Sequence, residues 1–164
     1  MTILSASVRL LDTGVWVGLA FASHPHHALA RAVFEAADSE HPIAFCRATQ
    51  NSFLRLLTTP TLQAIYGCPA VTNAQAWAKS CELLGLPQVV WLAEPVALES
   101  AWERCACVAT VSTKVWMDAY LAAFANAGDL ELVTFDRDFY HYAQHGLRMT
   151  LLGSHGDMPQ RTRR

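Results

Sequence analysis

Short apolar runs alternate with helix-patterned segments along this chain, and two of the runs end on an aspartate. Val8-Arg9-Leu10-Leu11 leads into Asp12-Thr13-Gly14, and Leu130-Glu131-Leu132-Val133-Thr134-Phe135 leads into Asp136-Arg137-Asp138. Alternation of strand and helix makes the strands parallel, because a parallel pair needs a crossover long enough to hold a helix. The expected fold is α/β: a three-layer α/β/α domain around a central, mainly parallel sheet. In such a sheet Asp12 and Asp136 leave the same carboxyl edge, where open α/β sheets bind ligands. Two carboxylates brought together there repel, and a divalent cation between them is the usual way to hold both ionised. The pattern therefore points to a metal-dependent hydrolase.

At 164 residues, 52% apolar and 16% charged, the chain has material for one continuous core. We expect one domain over residues 1–153, followed by a basic, flexible tail over 154–164 that carries Arg161, Arg163 and Arg164. No eighteen-residue uncharged apolar run occurs, and Met1-Thr2-Ile3-Leu4-Ser5 does not open a basic-then-apolar leader. The expectation is a soluble, cytoplasmic protein with no membrane partner. Five cysteines at irregular spacing read as buried, reduced thiols. A net charge of −2 gives no overall pull toward nucleic acid, so such a partner must meet local cations. Arg55, Lys114 and Arg137 are the candidates, with ion pairing to nearby acids as the alternative.

The periodicity predicts a helix over His26 to Asp38 with Leu29, Ala32, Val33 and Ala36 inward, and another from Ala48 to Leu57. Thr72-x-x-Gln75 reads as a capping box for a helix that turns Trp77, Cys81 and Leu84 to the core. Gln88 to Leu92 is a strand, Leu98 to Cys105 a helix, Thr113 to Ala127 a long helix stopped at Gly128, and Met149 to Leu152 the last strand. Trp77, Trp91 and Trp102 fall at core positions; Trp16 and Trp116 neighbour the acids and belong to the core, to a groove or to a dimer contact.

A third acid sharpens the picture. Asp118 shares a helical face with Leu121, Ala122 and Ala125, and a carboxylate on an apolar face is costly unless something pairs with it. Each acid alone has a structural explanation: an Asx-turn for Asp12, an ion pair for Asp118, a turn and a helix cap for Asp136 and Asp138. Three of them converging on one edge point to a joint site.

The stretches Leu11-Asp12-Thr13-Gly14-Val15-Trp16, Phe53-Leu54-Arg55-Leu56-Leu57-Thr58, Trp116-Met117-Asp118-Ala119-Tyr120-Leu121-Ala122-Ala123-Phe124-Ala125 and Leu132-Val133-Thr134-Phe135-Asp136-Arg137-Asp138-Phe139 resemble, in order, those of PIN-domain ribonuclease toxins of the VapC type. The resemblance implies a Mg²⁺- or Mn²⁺-dependent endoribonuclease acting on RNA, neutralised by a cognate VapB-type antitoxin and forming a homodimer. It makes Asp12, Asp118 and Asp136 the catalytic, metal-binding acids, with Thr134 as the small hydroxyl residue before the last of them; Asp138 and Ser52 are further supporting candidates. The chain departs from the family at Ser52, which stands where the family commonly has Glu. That departure keeps open a second reading, a PIN-like module that binds RNA or a protein partner without turnover. A haloacid-dehalogenase-type phosphatase is disfavoured, since Gly14 stands where its second Asp belongs. His24, His26 and His27 read as loop residues near the site mouth, and Cys105-x-Cys107 lacks the second pair of a zinc site.

Overall fold

The computed structural model describes residues 8–153; the expected basic tail lies outside the described residues. Among the described residues five strands, β1 (Arg9–Leu11), β2 (Ile43–Cys46), β3 (Val89–Leu92), β4 (Glu131–Thr134) and β5 (Arg148–Leu151), pair in the order β3-β2-β1-β4-β5. Every pairing is parallel, as the strand–helix alternation requires. The helices between them are α1 (Thr13–Ala20), α2 (His27–Glu35), α3 (Arg47–Leu57), α4 (Pro60–Ile65), α5 (Asn73–Leu84), α6 (Leu98–Ala106) and α7 (Val115–Ala127), and a 3₁₀ helix spans Arg137–His145. The chain builds outward from β1 to β3 and then returns to place β4 on the other flank of β1. The order thus reverses between β1 and β4, and a crevice opens at their carboxyl ends.

The pleat sorts the core into two layers. Leu10, Ala44, Cys46 and Leu132 face Leu98, Ala101 and Cys105 of α6 and the run Leu121 to Ala125 of α7. Leu11, Ile43, Phe45 and Val133 face Val15 and Trp16 of α1, Val33 of α2, Phe53 of α3 and Ala76 of α5. Trp16 stacks on Phe45 with ring centroids 3.7 Å apart, which fixes α1 against the sheet. No helix among the described residues is long and apolar enough to cross a membrane.

The helix α1 is not among the expected elements, and the inward positions expected of α2, of α5 and of Trp91 are corrected. The helix α1 follows Asp12 directly; its sequence is apolar on nearly every side, so it carries no helical period to read, and Val15 to Gly18 are buried. In α2 the buried residues are Ala30 and Val33, while Leu29, Ala32 and Ala36 are exposed. In α5 the Thr72–Gln75 capping box forms as expected, with Thr72 N donating to Gln75 Oε1 at 2.9 Å and Gln75 N to Thr72 Oγ1 at 3.2 Å. Its buried side, however, is Ala76 and Ser80; Trp77 is 55% exposed, and Cys81 is exposed too. Small residues let α5 approach α3 closely, and the buried Gln50 amide donates to Ser80 Oγ at 3.1 Å across that contact. Trp91, on the edge strand β3, is likewise exposed, with the Arg47 guanidinium 4.7 Å over its ring. The cysteines are all free thiols, Cys46 and Cys105 buried, Cys81 and Cys107 exposed.

Candidate active site

β1 ends at Leu11, so Asp12 stands at the carboxyl edge as the residue capping α1, its amide donating to Val133 O at 2.9 Å. β4 ends at the fully buried Thr134. The Thr134 hydroxyl donates to Asp12 Oδ2 at 2.8 Å and accepts from the Asp136 amide at 3.0 Å. One buried hydroxyl therefore ties two of the three acids together. The third, Asp118, projects from the first turn of α7, where the helix dipole favours an anion, and its side chain is only 16% exposed.

Lys114, just before α7, stands among these acids. Its ammonium lies 2.7 Å from Asp136 Oδ2, 2.6 Å from Asp138 Oδ2 and 3.8 Å from Asp118 Oδ2. Asp136, rather than Asp138, caps the following 3₁₀ helix, its Oδ1 accepting from the Asp138 amide at 2.8 Å. Asp138 is left free to hold the lysine.

The charges respond accordingly. Burial pushes the Asp12 carboxyl above its ordinary range, against the Thr134 hydrogen bond that favours the anion. Burial also raises Asp118, to about 6; Lys114 opposes this, and repulsion from Asp136, Asp12 and Asp138 adds to it. At Asp136 desolvation pulls upward, but the Lys114 hydrogen bond, the Asp138 amide and the lysine charge together hold it low. Lys114 is raised by its bonds to Asp136 and Asp138.

Among the described residues no set of three His, Cys, Asp or Glu side chains is already gathered as a metal cage. The donor chemistry nevertheless fits a hard divalent cation. The donors are all oxygen, and burial makes two of the carboxyls, Asp12 and Asp118, resist ionisation. A cation on Asp12, Asp118 and Asp136 would take over charge compensation from Lys114.

The other expected residues fall outside this cluster. Arg137 is exposed, and Arg55 lines a recess with Leu54, Thr58, Asn73, Ala76 and Trp77 between α3 and α5. Among the described residues no hydrogen bond or ion pair joins either guanidinium to the acids, and none joins the half-buried Ser52 hydroxyl to them. Of the two tryptophans flanking the acids in sequence, Trp16 is fully buried and Trp116 is 56% exposed.

Sequence reasoning missed the part played by Phe135. Its ring packs over α1 where a Cβ at Gly18 would lie 3.4 Å away, and the His26 ring stacks on it at 4.6 Å. His27 bonds Gly18 O at 2.9 Å. The histidine loop is thereby seated beside the residue preceding Asp136, with His24 held low by partial burial and by its neighbours His26 and His27. The readable signal was the pair Gly14 and Gly18, one helical turn apart, which clears a place for a ring.

The family model described as PIN domain matches residues 9–144. Ribonuclease VapC41 of Mycobacterium tuberculosis is 45% identical over 141 residues, which span 85% of this chain and 97% of that relative. Among solved structures, M. tuberculosis VapC20, a Sarcin-Ricin loop cleaving toxin, superposes with a TM-score of 0.59 at 18% identity, covering 81% of this chain and 93% of its own. VapBC2 from Rickettsia felis, solved bound to a DNA fragment from its promoter, superposes with a TM-score of 0.58 at 13% identity, covering 88% and 98%. At these identities the structural likenesses speak to the fold.

Proposed function

The chain belongs to the PIN-domain family, VapC type, and from that premise we propose that it is a Mg²⁺- or Mn²⁺-dependent endoribonuclease, the toxin of a type II toxin–antitoxin pair. The observation that carries this reading is the meeting of Asp12, Asp118 and Asp136 at the reversal point of the sheet, with Thr134 bonded to two of them. The cation would be held by Asp12, Asp118 and Asp136. When bound, it supplies Lewis-acid neutralisation of the scissile phosphate. Thr134 fixes the Asp12 carboxylate and the Asp136 backbone in one arrangement, so neither has to reorganise when RNA arrives. Lys114, half exposed and flexible, is placed to leave its acids for a phosphate oxygen of the substrate. Asp138 keeps it within reach. Arg137 and Arg55 are secondary candidates for backbone phosphates.

The same family likeness supports a cognate VapB-type antitoxin, a homodimer and a cytoplasmic setting as parts of the proposal. One observation favours the second reading, binding without turnover: Ser52 supplies no charge where the family has Glu.

The deciding experiment is cleavage of total cellular RNA by the purified protein with Mg²⁺ or Mn²⁺, beside EDTA and Asp12→Asn controls. Discrete products that need the metal and Asp12 are expected. Cleavage surviving in folded Asp12→Asn would sink the assignment, and stoichiometric RNA binding with no products would favour the module reading.

A further inference from the structure

A recess of about 760 Å³ opens beside the start of α7. The helix itself makes the two sites neighbours. Trp116, Met117 and Tyr120 of α7 line the recess together with Thr113, which precedes the helix, whereas Asp118 lies roughly a third of a turn round α7 and, with Lys114 at its start, belongs to the acid cluster.

The walls of the recess are aromatic. Trp102 stands edge-on to Trp116 at 6.3 Å and to Tyr120 at 5.4 Å, and its Nε1 donates to Trp116 O at 3.1 Å. Trp77 faces in from α5. Trp116 and Trp77 leave more than half their surface open, an unusual position for the largest apolar side chains unless a flat partner covers them.

Part of the polar lining is already hydrogen-bonded within the protein. Arg47 Nη1 donates to Gln50 Oε1 at 2.7 Å, Gln50 donates onward to Ser80, and the Tyr120 hydroxyl donates to Glu94 at 2.8 Å. Among the described residues the exposed Asn51 amide has no hydrogen-bond partner, and it offers a donor and an acceptor side by side. Flat aromatic faces with one free amide match an unstacked nucleobase. The phosphate next to such a base would reach Lys114 round the helix. A peptide side chain would satisfy the rings but leaves the adjoining cation unused.

We propose that this recess takes an unpaired nucleotide of the RNA substrate, its base stacked on Trp116 and its edge read by Asn51, next to the phosphate that is cut. The inference rests on the ribonuclease reading above. It makes Trp116 and Asn51 specificity-determining residues outside the acid cluster.

The test compares the full-length wild type with Trp116→Ala, Trp116→Phe and Asn51→Ala on total cellular RNA with Mn²⁺, reading both rate and the map of cut positions. Trp116→Ala is expected to lose about ten- to a hundredfold in kcat/KM, the range of one lost base stack. Trp116→Phe, which keeps a flat face, should recover most of the rate. Asn51→Ala should relax base preference at a single position of the cut map. Equal rates and identical maps for wild type and Trp116→Ala overturn this inference alone, whereas a wild type that cuts nothing overturns the ribonuclease reading and this inference with it. Normal cleavage by Trp116→Ala coupled to lost inhibition by the antitoxin would give the recess to the protein partner and overturn the nucleotide assignment.

Discussion

Thr134 and Asp12 lie 122 residues apart in the sequence and share a 2.8 Å hydrogen bond at the reversal point of the sheet. Because the same hydroxyl accepts from the Asp136 amide, it sets the spacing of two acids from the end of one strand. Thr134→Val keeps the β-branched shape in a fully buried position but removes both bonds. We expect a stability loss of about 1–3 kcal/mol by denaturant unfolding, from the polar groups left unpaired. We also expect RNA cleavage to fall at least tenfold. Unchanged cleavage would mean that the hydroxyl serves the fold only.

Lys114 occupies the charge-compensating place that a divalent cation would take. Lys114→Met should therefore tighten Mn²⁺ binding measured by calorimetry, since no ammonium competes for Asp136 and Asp118. Its cleavage rate at saturating Mn²⁺ should still be lower, for lack of a phosphate contact. Weaker Mn²⁺ binding in this variant would show that the lysine organises the acids for the metal.

Asp118 ties the site to stability. Its folded-state value of about 6 lies above the ordinary 3.8, so between these two pH values the folded chain holds a proton more tightly than the unfolded chain. In EDTA the wild type should lose stability as pH rises through that window. Asp118→Asn should make the profile shallower, with Asp12 still acting in the same sense, and melt higher at pH 7, by roughly a few degrees for a domain of this size. A variant melting below the wild type at pH 7 in EDTA would contradict the cost of burying this carboxylate among other acids. Asp136, held low by Lys114, acts in the opposite sense and only at more acid pH.

Ser52 gives a gain-of-function test. Ser52→Glu adds the charge that the family resemblance implies at this position, and the Mn²⁺ concentration for half-maximal cleavage should drop. No change in metal requirement would show that three acids suffice in this chain.

The sequence by itself determined the parallel α/β plan, since its apolar periods switch between strand and helix in strict alternation and parallel crossovers follow. It also marked Asp12, Asp118 and Asp136, because an acid at a strand end or on an apolar helix face is expensive without a purpose. The resemblance at those same positions named the family. Tertiary structure alone decided what faces what. Helix α1 was invisible because a segment buried on nearly all sides has no amphipathic period. The outward turn of Trp77 was equally hidden, since the buried side of α5 was chosen by how closely Ala76 and Ser80 let it approach α3. Lys114 could be named beforehand, but its place among Asp118, Asp136 and Asp138 depends on how α7 sits over β4. Burial and through-space charge belong to residues far apart in the chain, so only the folded arrangement sets them.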